Sequence, residues 1–339
     1  MKRNFVMMLL LSFVLVLAAC SPSNNTTETS TNPDETVVSE DNTTNEETSN
    51  QDESDTADGG QTIEESENTG AQESGNFTVE NIELLEDGYK IPAVATLPAD
   101  SQGPVPVVVM LHGTASNKDE AGNGYVYMSE LLAENGIGSV RFDFAGSGDS
   151  DRDYQLYTIE GAVDDTEEIL DYIEENKYIF DENRIGLMGW SQGGYIAMLA
   201  AEENDEIKSL VTWAGTTDMS DMVTDEEYQT AKADGFFVRQ YDWRDDTKVS
   251  LEWIEQAKSI NVIDEFKDYT GPVLAINGAN DDVVNPEEAN LIVGASSNPQ
   301  SKVEIVEGAD HTFNIFTGDL TQFEQTEKLT LDWFKDTLK

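Results

Sequence analysis

The chain has 339 residues, of which 68 are Asp or Glu and 19 are Lys or Arg, so its net charge near neutral pH is −49. Charge of this sign repels nucleic-acid phosphates and anionic lipid headgroups, and it argues against a nucleic-acid partner. The single Cys excludes an intramolecular disulfide and a thiolate metal cluster, and the two His exclude a three-histidine metal site. The length suits one large domain or two small ones.

The first twenty residues have the anatomy of an export signal. A basic pair at residues 2–3 precedes an apolar run at residues 5–19, and the only cysteine of the chain, Cys20, follows it. The run is shorter than the roughly 20 residues of a membrane-spanning helix. Leu-Ala-Ala-Cys at residues 17–20 resembles a bacterial lipobox, which implies a signal peptide over residues 1–20 and a lipid anchor at the cysteine, on the extracellular face of a bacterial membrane. The alternative is an ordinary secretory signal with an incidental cysteine.

The next segment, residues 21–76, is acidic and separates this signal from the rest of the chain. It holds 15 of the 68 acidic side chains, no Lys or Arg, and few large apolar residues. Such a composition cannot bury enough surface to offset its ordering entropy, so we predict a disordered tether rich in Ser, Thr and Asn. Residues 77–339 then carry 53 acidic against 17 basic side chains. The folded part is therefore predicted to be strongly acidic itself.

From Phe77 onward, short apolar segments alternate with longer segments of helical periodicity. The apolar segments predict strands at residues 105–111, 138–142, 184–188, 208–213, 272–276 and 302–306. The amphipathic segments predict helices at residues 125–134, 159–176, 192–203, 286–293 and 320–338. Alternation of this kind predicts an α/β domain over residues 77–339, with a mostly parallel central sheet of about eight strands and helices on both faces.

Two regions depart from this rhythm. Alternating residues at 78–84 and 89–97 predict an antiparallel hairpin at the sheet edge, turned at residues 86–88. Residues 216–264 are too long for an ordinary connection and mostly helical in character, so we predict an inserted cap. Its large apolar side chains are expected to hold the cap on the sheet, with a few lining a pocket: Met219, Met222, Tyr228, Phe236, Phe237, Tyr241, Trp243 and Trp253.

A candidate nucleophile lies in the sequence Gly-Trp-Ser-Gln-Gly at residues 189–193. The motif follows the predicted strand at residues 184–188 and precedes a predicted helix, as a tight strand-to-helix turn requires. Glycine on both sides of the serine removes side chains that would clash in such a turn. The turn would hold the Ser191 hydroxyl clear of the sheet, at the positive end of the next helix.

A serine hydroxyl needs a base near neutral pH, and the chain offers two histidines. His311 follows the last predicted strand within a polar loop. His112 follows the strand at residues 105–111 and precedes Gly113. This is the position where a His-Gly pair shapes the loop that points a backbone N–H at the substrate. We therefore predict that His311 is the base and that His112 is structural.

The base in turn needs a carboxylate that holds its tautomer and stabilises its charged form. Asp281 and Asp282 both lie just past the predicted strand at residues 272–276, on the rim where open α/β sheets bind ligands. Asp281 is the preferred candidate, because it lies three residues past Gly278, and Asp282 is the alternative.

The order Ser191, Asp281, His311 along the chain resembles the nucleophile–acid–base order of the α/β-hydrolase superfamily. The resemblance covers residues 77–339 and includes Leu-His-Gly-Thr at residues 111–114 and Asp-Phe-Ala-Gly-Ser-Gly-Asp-Ser at residues 143–150. It implies the α/β-hydrolase fold.

The same resemblance assigns further roles by position. It implies that the backbone amides of Thr114 and Gln192 form an oxyanion hole. Within the superfamily, residues 112–120, the Ser-Gln-Gly-Gly turn and the inserted cap are similar to cinnamoyl and feruloyl esterases. They imply a serine carboxylesterase for a small-molecule ester of short acyl or hydroxycinnamoyl type, with no metal and no cofactor. We also expect the negative field to disfavour anionic substrates.

Two alternatives remain open. A serine aminopeptidase of the same fold would need a carboxylate for the substrate ammonium group, and the acidic cap offers candidates such as Asp218 and Asp221. A surface binding module with a vestigial site is the alternative from a different class. Labelling of Ser191 by a fluorophosphonate would separate it from both enzymes.

Overall fold

A computed structural model of the protein describes residues 72–86 and 88–339. The predicted signal peptide with Cys20, nearly all of the predicted tether, and Asp87 in the predicted hairpin turn lie outside the described residues. Within the described part of the chain, no helix combines the length and the apolar character needed to cross a membrane.

The described residues form strands and helices in alternation. The strands are β1 (Gln72–Ser74), β2 (Phe77–Glu86), β3 (Tyr89–Pro98), β4 (Val105–Leu111), β5 (Gly138–Phe142), β6 (Phe180–Trp190), β7 (Ile207–Trp213), β8 (Phe236–Arg239), β9 (Thr247–Ser250), β10 (Val273–Gly278) and β11 (Lys302–Val306). The α-helices are α1 (Gly124–Glu134), α2 (Ile159–Glu175), α3 (Gln192–Glu203), α4 (Asp225–Asp234), α5 (Leu251–Ser259), α6 (Val262–Phe266), α7 (Glu288–Ala295) and α8 (Thr321–Thr337).

The central sheet has nine strands in the order β1-β2-β3-β5-β4-β6-β7-β10-β11. The six neighbouring strands β5, β4, β6, β7, β10 and β11 pair in parallel. Antiparallel pairs join β1 to β2, β2 to β3 and β3 to β5 at one edge. The predicted mostly parallel sheet and its antiparallel edge hairpin are therefore confirmed. The parallel strands leave their carboxyl ends on one rim, which carries the loops of the site.

Strand β1 changes the predicted boundary of the folded domain. It lies within residues 21–76, which were predicted to be a disordered tether, and pairs with β2 in the register Gln72 to Val79 and Ser74 to Phe77. An exposed edge strand offers unpaired backbone groups to a neighbouring segment whatever its side chains. Composition alone therefore could not mark where pairing begins, and the ordered domain starts before Phe77.

Helices cover both faces of the sheet because its strands alternate buried side chains between two cores. In β4, Val107 and Val109 contribute to the core shared with α2 and α3. The intervening Val108 and Met110 contribute to the core shared with α1 and α8. Near-continuous apolar strands of this kind are typical of parallel sheets buried on both faces, and the predicted layers are confirmed.

The segment between β7 and β10 holds the predicted cap over residues 216–264. It contains α4, α5 and α6, and also a two-stranded antiparallel sheet of β8 and β9 that the sequence analysis missed. Each of these strands has only four residues, too few for alternation to stand out from the helical segments beside them. The buried Phe237 and Trp253 join the core under the cap and hold it on the sheet.

Candidate active site

Ser191 occupies a strained turn between β6 and α3. Its backbone has φ 53° and ψ −118°, outside the helical region, although the helix begins at the next residue. The Ser191 N–H donates to the carbonyl of Trp213 at 2.8 Å, and its carbonyl accepts from Gly194 N–H at 3.0 Å. These bonds fix the turn from the adjacent strand and from the helix, so the serine is held at the rim of the sheet.

The glycines on either side of this turn are required by close backbone contacts. A Cβ atom at position 189 would lie 2.1 Å from the carbonyl oxygen of Gly193. A Cβ atom at position 193 would lie 2.0 Å from the carbonyl oxygen of Leu111. Real Cβ atoms do not approach backbone so closely, so the Gly-x-Ser-x-Gly spacing is a packing requirement of this turn.

The structure brings together the predicted base and the preferred predicted acid. His311 Nδ1 lies 2.9 Å from Asp281 Oδ2. The other oxygen, Oδ1, accepts from the N–H groups of Val283 and Val284, each at 2.9 Å. Asp281 is buried, whereas Asp282 is exposed to solvent. Because the carboxylate accepts at Nδ1, it holds the proton there and leaves His311 Nε2 free to accept another.

The loop that carries His311 is fixed by its neighbours. Trp190, the residue before Ser191, donates its indole N–H to the His311 carbonyl at 3.1 Å. Asp310 accepts from the backbone and hydroxyl of Thr312 and from the backbone of Asn314, at 2.8 to 2.9 Å. Burial tends to raise the pKa of Asp310, but these donors outweigh it and the pKa is lowered. The predicted base, His311, is therefore held in a fixed position.

The predicted oxyanion amides lie on the loop after β4 and on the first turn of α3, and the side chains of these two residues contact each other. The Thr114 hydroxyl donates to Gln192 Oε1 at 3.1 Å, and the Gln192 side-chain amide donates to the Tyr157 hydroxyl. Within residues 72–86 and 88–339, neither the Thr114 nor the Gln192 backbone N–H has a hydrogen-bond acceptor. The Gln192 N–H also belongs to the first turn of α3, where the helix dipole is positive. Both amides are thus available to a ligand.

Glu120 is a structural member of the site whose role the sequence analysis missed. Its carboxylate accepts from Gly113 N–H at 2.5 Å, from the Ser116 hydroxyl at 2.8 Å and from Ala121 N–H at 2.9 Å. The residue has a φ of 58°, which is uncommon for a residue other than glycine. Glu120 therefore holds the loop before the predicted oxyanion amide of Thr114. Its position in the loop that follows β4 gave no periodic signal.

His112 is buried under this loop with both ring nitrogens bonded. Nδ1 donates to the carbonyl of Gly113 at 2.8 Å, and Nε2 accepts from Phe144 N–H at 3.2 Å. Burial is the main cause that lowers its pKa, so the ring is neutral. A histidine with no free nitrogen cannot transfer protons, in agreement with its predicted structural position.

The segment at residues 143–150, which has the pattern Asp-x-x-Gly-x-Gly-x-Ser, joins two loops beside the site. The fully buried Asp143 accepts from the backbone and ammonium of Lys118 at 2.7 and 2.8 Å, and from Asp149 N–H at 2.9 Å. These contacts tie the loop after β5 to the loop after β4. The loop after β4, which carries the predicted oxyanion amide of Thr114, is therefore held by Glu120 and by Asp143.

A cavity of about 590 Å³ opens above these groups. Ser191, His311 and Thr114 line it together, so the structure brings the candidate nucleophile, base and oxyanion loop to one space. The cap contributes four side chains, and two exposed apolar residues form the rim: Met222, Arg239, Tyr241, Trp243, Val283 and Phe316. Of the large apolar cap residues considered above, Met222, Tyr241 and Trp243 line the cavity, whereas Met219, Phe237 and Trp253 are buried in the core.

The described residues contain no group of three or more His, Cys, Asp or Glu side chains arranged to hold a metal ion.

Arg239 lines the cavity, and the sequence gave no signal for it, because nothing in the pattern of a cap shows which of its cations faces the sheet.

Comparisons with known proteins place this geometry in context. The family model of the prolyl oligopeptidase family matches residues 125–339. The 2,6-dihydropseudooxynicotine hydrolase of Paenarthrobacter nicotinovorans is 26% identical over 231 residues, which are 63% of this chain and 57% of that protein. The chain therefore spans little more than half the length of that curated relative.

Solved structures share the fold at lower identity. Est1E from Butyrivibrio proteoclasticus, solved with ferulic acid bound, aligns with a TM-score of 0.62 and 22% identity, over 76% of this chain and 98% of that one. The α/β hydrolase GrgF from Penicillium sp. sh18 aligns with a TM-score of 0.63 and 16% identity, over 77% and 99%.

The strand order, the turn at Ser191 and these structural neighbours define the class: the chain has the α/β-hydrolase fold. More narrowly, the chain belongs to the prolyl oligopeptidase family.

Proposed function

We propose that the protein hydrolyses small carboxylic esters, of short acyl or hydroxycinnamoyl type, through an acyl-enzyme on Ser191. The observation that carries this proposal is the bond between His311 Nδ1 and Asp281 in a cavity that Ser191 also lines. A fixed base beside a strained serine at a helix N-terminus is the arrangement that nucleophilic acyl transfer needs. The ferulic acid bound to Est1E, a structural neighbour, adds support for an aromatic acyl group.

The proposed reaction has two steps. Ser191 Oγ attacks the ester carbonyl while His311 Nε2 takes its proton, and Asp281 stabilises the imidazolium. The amides of Thr114 and Gln192 donate to the oxyanion, an interaction that is often the largest single contribution to catalysis. The tetrahedral intermediate collapses as His311 returns the proton to the departing alcohol. Water, activated by the same histidine, then releases the acid and restores the serine.

The walls of the cavity suit such a substrate. Trp190, Tyr241 and Trp243 supply aromatic surface, and the exposed Phe316 extends it at the rim. Planar or short apolar acyl groups gain by burial against surfaces of this kind. A long triglyceride has far more volume than the cavity of about 590 Å³, so we expect negligible activity on such lipids.

A peptidase activity is the second candidate, favoured by the name of the family that the chain matches. An aminopeptidase needs an unsatisfied carboxylate near the substrate amine. Asp218 and Asp221, the cap carboxylates first considered, are not among the cavity-lining residues, and both oxygens of the lining Glu120 already accept hydrogen bonds. The geometry therefore gives more support to the esterase.

We also propose that the enzyme is anchored by lipid at Cys20 on the extracellular face of a bacterial membrane. The support is the lipobox-like sequence at residues 17–20 and the basic and apolar residues before it. Cys20→Ser should move the protein from the membrane fraction to the medium without loss of specific activity. An unchanged membrane fraction would contradict lipidation at this residue.

The reaction class is tested on residues 72–339, which hold every described strand and helix. A fluorophosphonate should label Ser191, and the protein should cleave p-nitrophenyl butyrate and methyl hydroxycinnamates faster than aminoacyl anilides. Ser191→Ala is the control for labelling and turnover. A clear preference for aminoacyl anilides with a free amine would replace the esterase by the peptidase, and an unlabelled Ser191 would favour a binding protein.

A further inference from the structure

Two arginines of the cap are not neutralised by carboxylates, although acidic side chains far outnumber basic ones in the chain. Lys118, Arg141 and Arg184 each lie within 4.0 Å of a carboxylate. In the described residues, neither Arg239 nor Arg244 has such a partner. Charge that is partly removed from water is costly unless it is paired, so the absence of a partner at these positions requires an explanation.

The two arginines differ in what their guanidinium groups contact. Arg244 donates to the carbonyl of Ala115 and to that of Asp245, so backbone acceptors of the oxyanion loop and of its own loop engage it. Arg239 donates through Nη2 to the carbonyl of Met222 at 2.5 Å, and its guanidinium lies 5.1 Å from the ring centre of Phe237. In the described chain its remaining N–H groups have no acceptor. Arg239 is thus the cation held in place with donors to spare.

These donors face the space where a substrate would lie. Arg239 is half-buried and lines the cavity that contains Ser191 and His311. It also borders, with Thr114, Tyr154 and Tyr241, a second narrow space of about 10 Å³. Since Thr114 carries a candidate oxyanion amide and lines both spaces, a group bound by Arg239 would share the cavity with the reacting carbonyl.

No acidic side chain of the cavity is available to satisfy the guanidinium. Glu120 is the one carboxylate among the residues that line the described cavity, and three donors already occupy its oxygens. Burial raises the pKa of the neighbouring Tyr154 well above its ordinary value, and the charges of Arg244 and Arg239 oppose that rise, so this hydroxyl stays neutral and supplies no anion.

We propose that Arg239 binds a free carboxylate on the substrate, so that the preferred esters are anionic: half-esters of short dicarboxylic acids or short esters of hydroxy acids. This inference rests on the proposed ester hydrolysis and names its substrate class. The planar guanidinium presents N–H donors in the geometry of a carboxylate. This proposal departs from the expectation that the net charge disfavours anionic substrates. A local fork of donors acts at hydrogen-bond distance, whereas the field of the surface is screened by salt.

The test compares pairs of esters of equal length that differ in charge. In the acyl pair, the mono-p-nitrophenyl ester of glutaric acid is compared with p-nitrophenyl valerate. In the alcohol pair, the butyrate ester of 4-hydroxybenzoic acid is compared with the butyrate ester of methyl 4-hydroxybenzoate. The readout is the ratio of kcat/KM for the anionic ester to kcat/KM for the neutral ester, which does not depend on the amount of active enzyme.

Arg239→Gln should lower this ratio about tenfold or more in at least one pair, because a hydrogen bond to a charged group is lost. Arg239→Lys, which keeps the charge without the fork, should retain part of the preference. The matched control is Lys248→Gln, which removes one positive charge from the cap at a residue that does not line the cavity, and should leave both ratios within about twofold.

The outcomes separate this inference from the function on which it rests. If the protein hydrolyses the neutral esters and Arg239→Gln leaves the ratio unchanged in both pairs, the carboxylate site is overturned and the proposed ester hydrolysis is not. An equal fall in the Lys248→Gln control would reduce the effect to net charge and would also overturn it. Absence of hydrolysis in every arm, with Ser191 unlabelled by a fluorophosphonate, would overturn both.

Discussion

The loops after the strands of the central sheet, here called the floor, and the cap above them satisfy their charged groups in different ways. On the floor, Asp281, Glu120 and Asp143 each have both carboxylate oxygens engaged by donors of fixed geometry. In the cap, Arg239 and Arg244 donate to backbone carbonyls and lie near aromatic rings, and neither has a carboxylate partner within residues 72–86 and 88–339. Under the functions proposed above, the floor is preorganised for the reaction, while the cap keeps positive charge available for the substrate.

The largest expected effect comes from removing the proposed nucleophile or base on the floor. Ser191→Ala and His311→Ala should each lower kcat by about 10⁴-fold or more, because each removes a group that acts in the transition state. The double variant should be scarcely worse than either single one, since the residues act as a unit. Steady-state kinetics on p-nitrophenyl butyrate measures both, with thermal unfolding as the control for folding. Additive losses would contradict a shared mechanism.

The next effect tests which carboxylate supports the base. Asp281→Asn should lower kcat by about 10²- to 10⁴-fold, because the amide can favour the wrong tautomer of His311. Asp282→Asn is the matched control, one residue away and exposed, and should change kcat less than twofold. Equal losses in the two variants, or a larger loss at Asp282, would contradict the arrangement seen here.

A smaller effect is expected where the cap meets the floor. The Arg244 guanidinium donates to the carbonyl of Ala115, the residue after Thr114. Arg244→Gln should lower kcat about tenfold, because a charge-assisted bond that positions the oxyanion loop is lost, and KM should change less. Lys258→Gln, another cap cation beside an aromatic ring, is the control. A change in KM alone would show that Arg244 binds substrate and does not position the loop.

The smallest effect concerns a buried carboxylate outside both regions. Burial, and then the charge of Glu324, raises the pKa of Glu327 to about 7. Between about pH 4.5 and pH 7, this carboxyl is therefore protonated in the folded state and ionised in the unfolded state. Its contribution to stability is full below this window and is lost as the pH rises through it.

Glu327→Gln removes that cost of ionisation. We expect the variant to be more stable than the parent by about 1–3 kcal/mol at pH 8 and to gain nothing at pH 4.5. Urea unfolding at the two pH values measures the difference. Glu324→Gln, exposed on the same helix, should give a smaller gain at pH 8. A gain of equal size at both pH values would contradict titration as the cause.

Much of the floor was predictable because its constraints are local. The spacing of Gly189, Ser191 and Gly193 reflects backbone contacts near 2 Å, which no other residue type allows. The placement of Asp281 and His311 after two neighbouring strands followed from parallel pairing, since β10 and β11 end on the same rim. Their catalytic roles remain predictions that the variants above test.

The cap was less predictable because its contacts are formed at long range. Alternation over four residues could not reveal β8 and β9, and the pattern of the insert did not separate the core residue Trp253 from the lining residue Trp243. The use of Arg239 and of Glu120 depends on which loops meet across the cavity. The start of the domain at β1 was missed since backbone pairing leaves no trace in side-chain composition.

The most direct test of the central claim is to detect the acyl-enzyme. The protein is mixed with p-nitrophenyl butyrate, quenched in acid within the first turnover, and analysed by intact mass and peptide mapping. We predict release of p-nitrophenol in a burst equal to the amount of enzyme, and a butyryl group on Ser191 that is absent from Ser191→Ala. Ester hydrolysis that continues in Ser191→Ala, or a butyryl group that maps to another residue, would contradict the account.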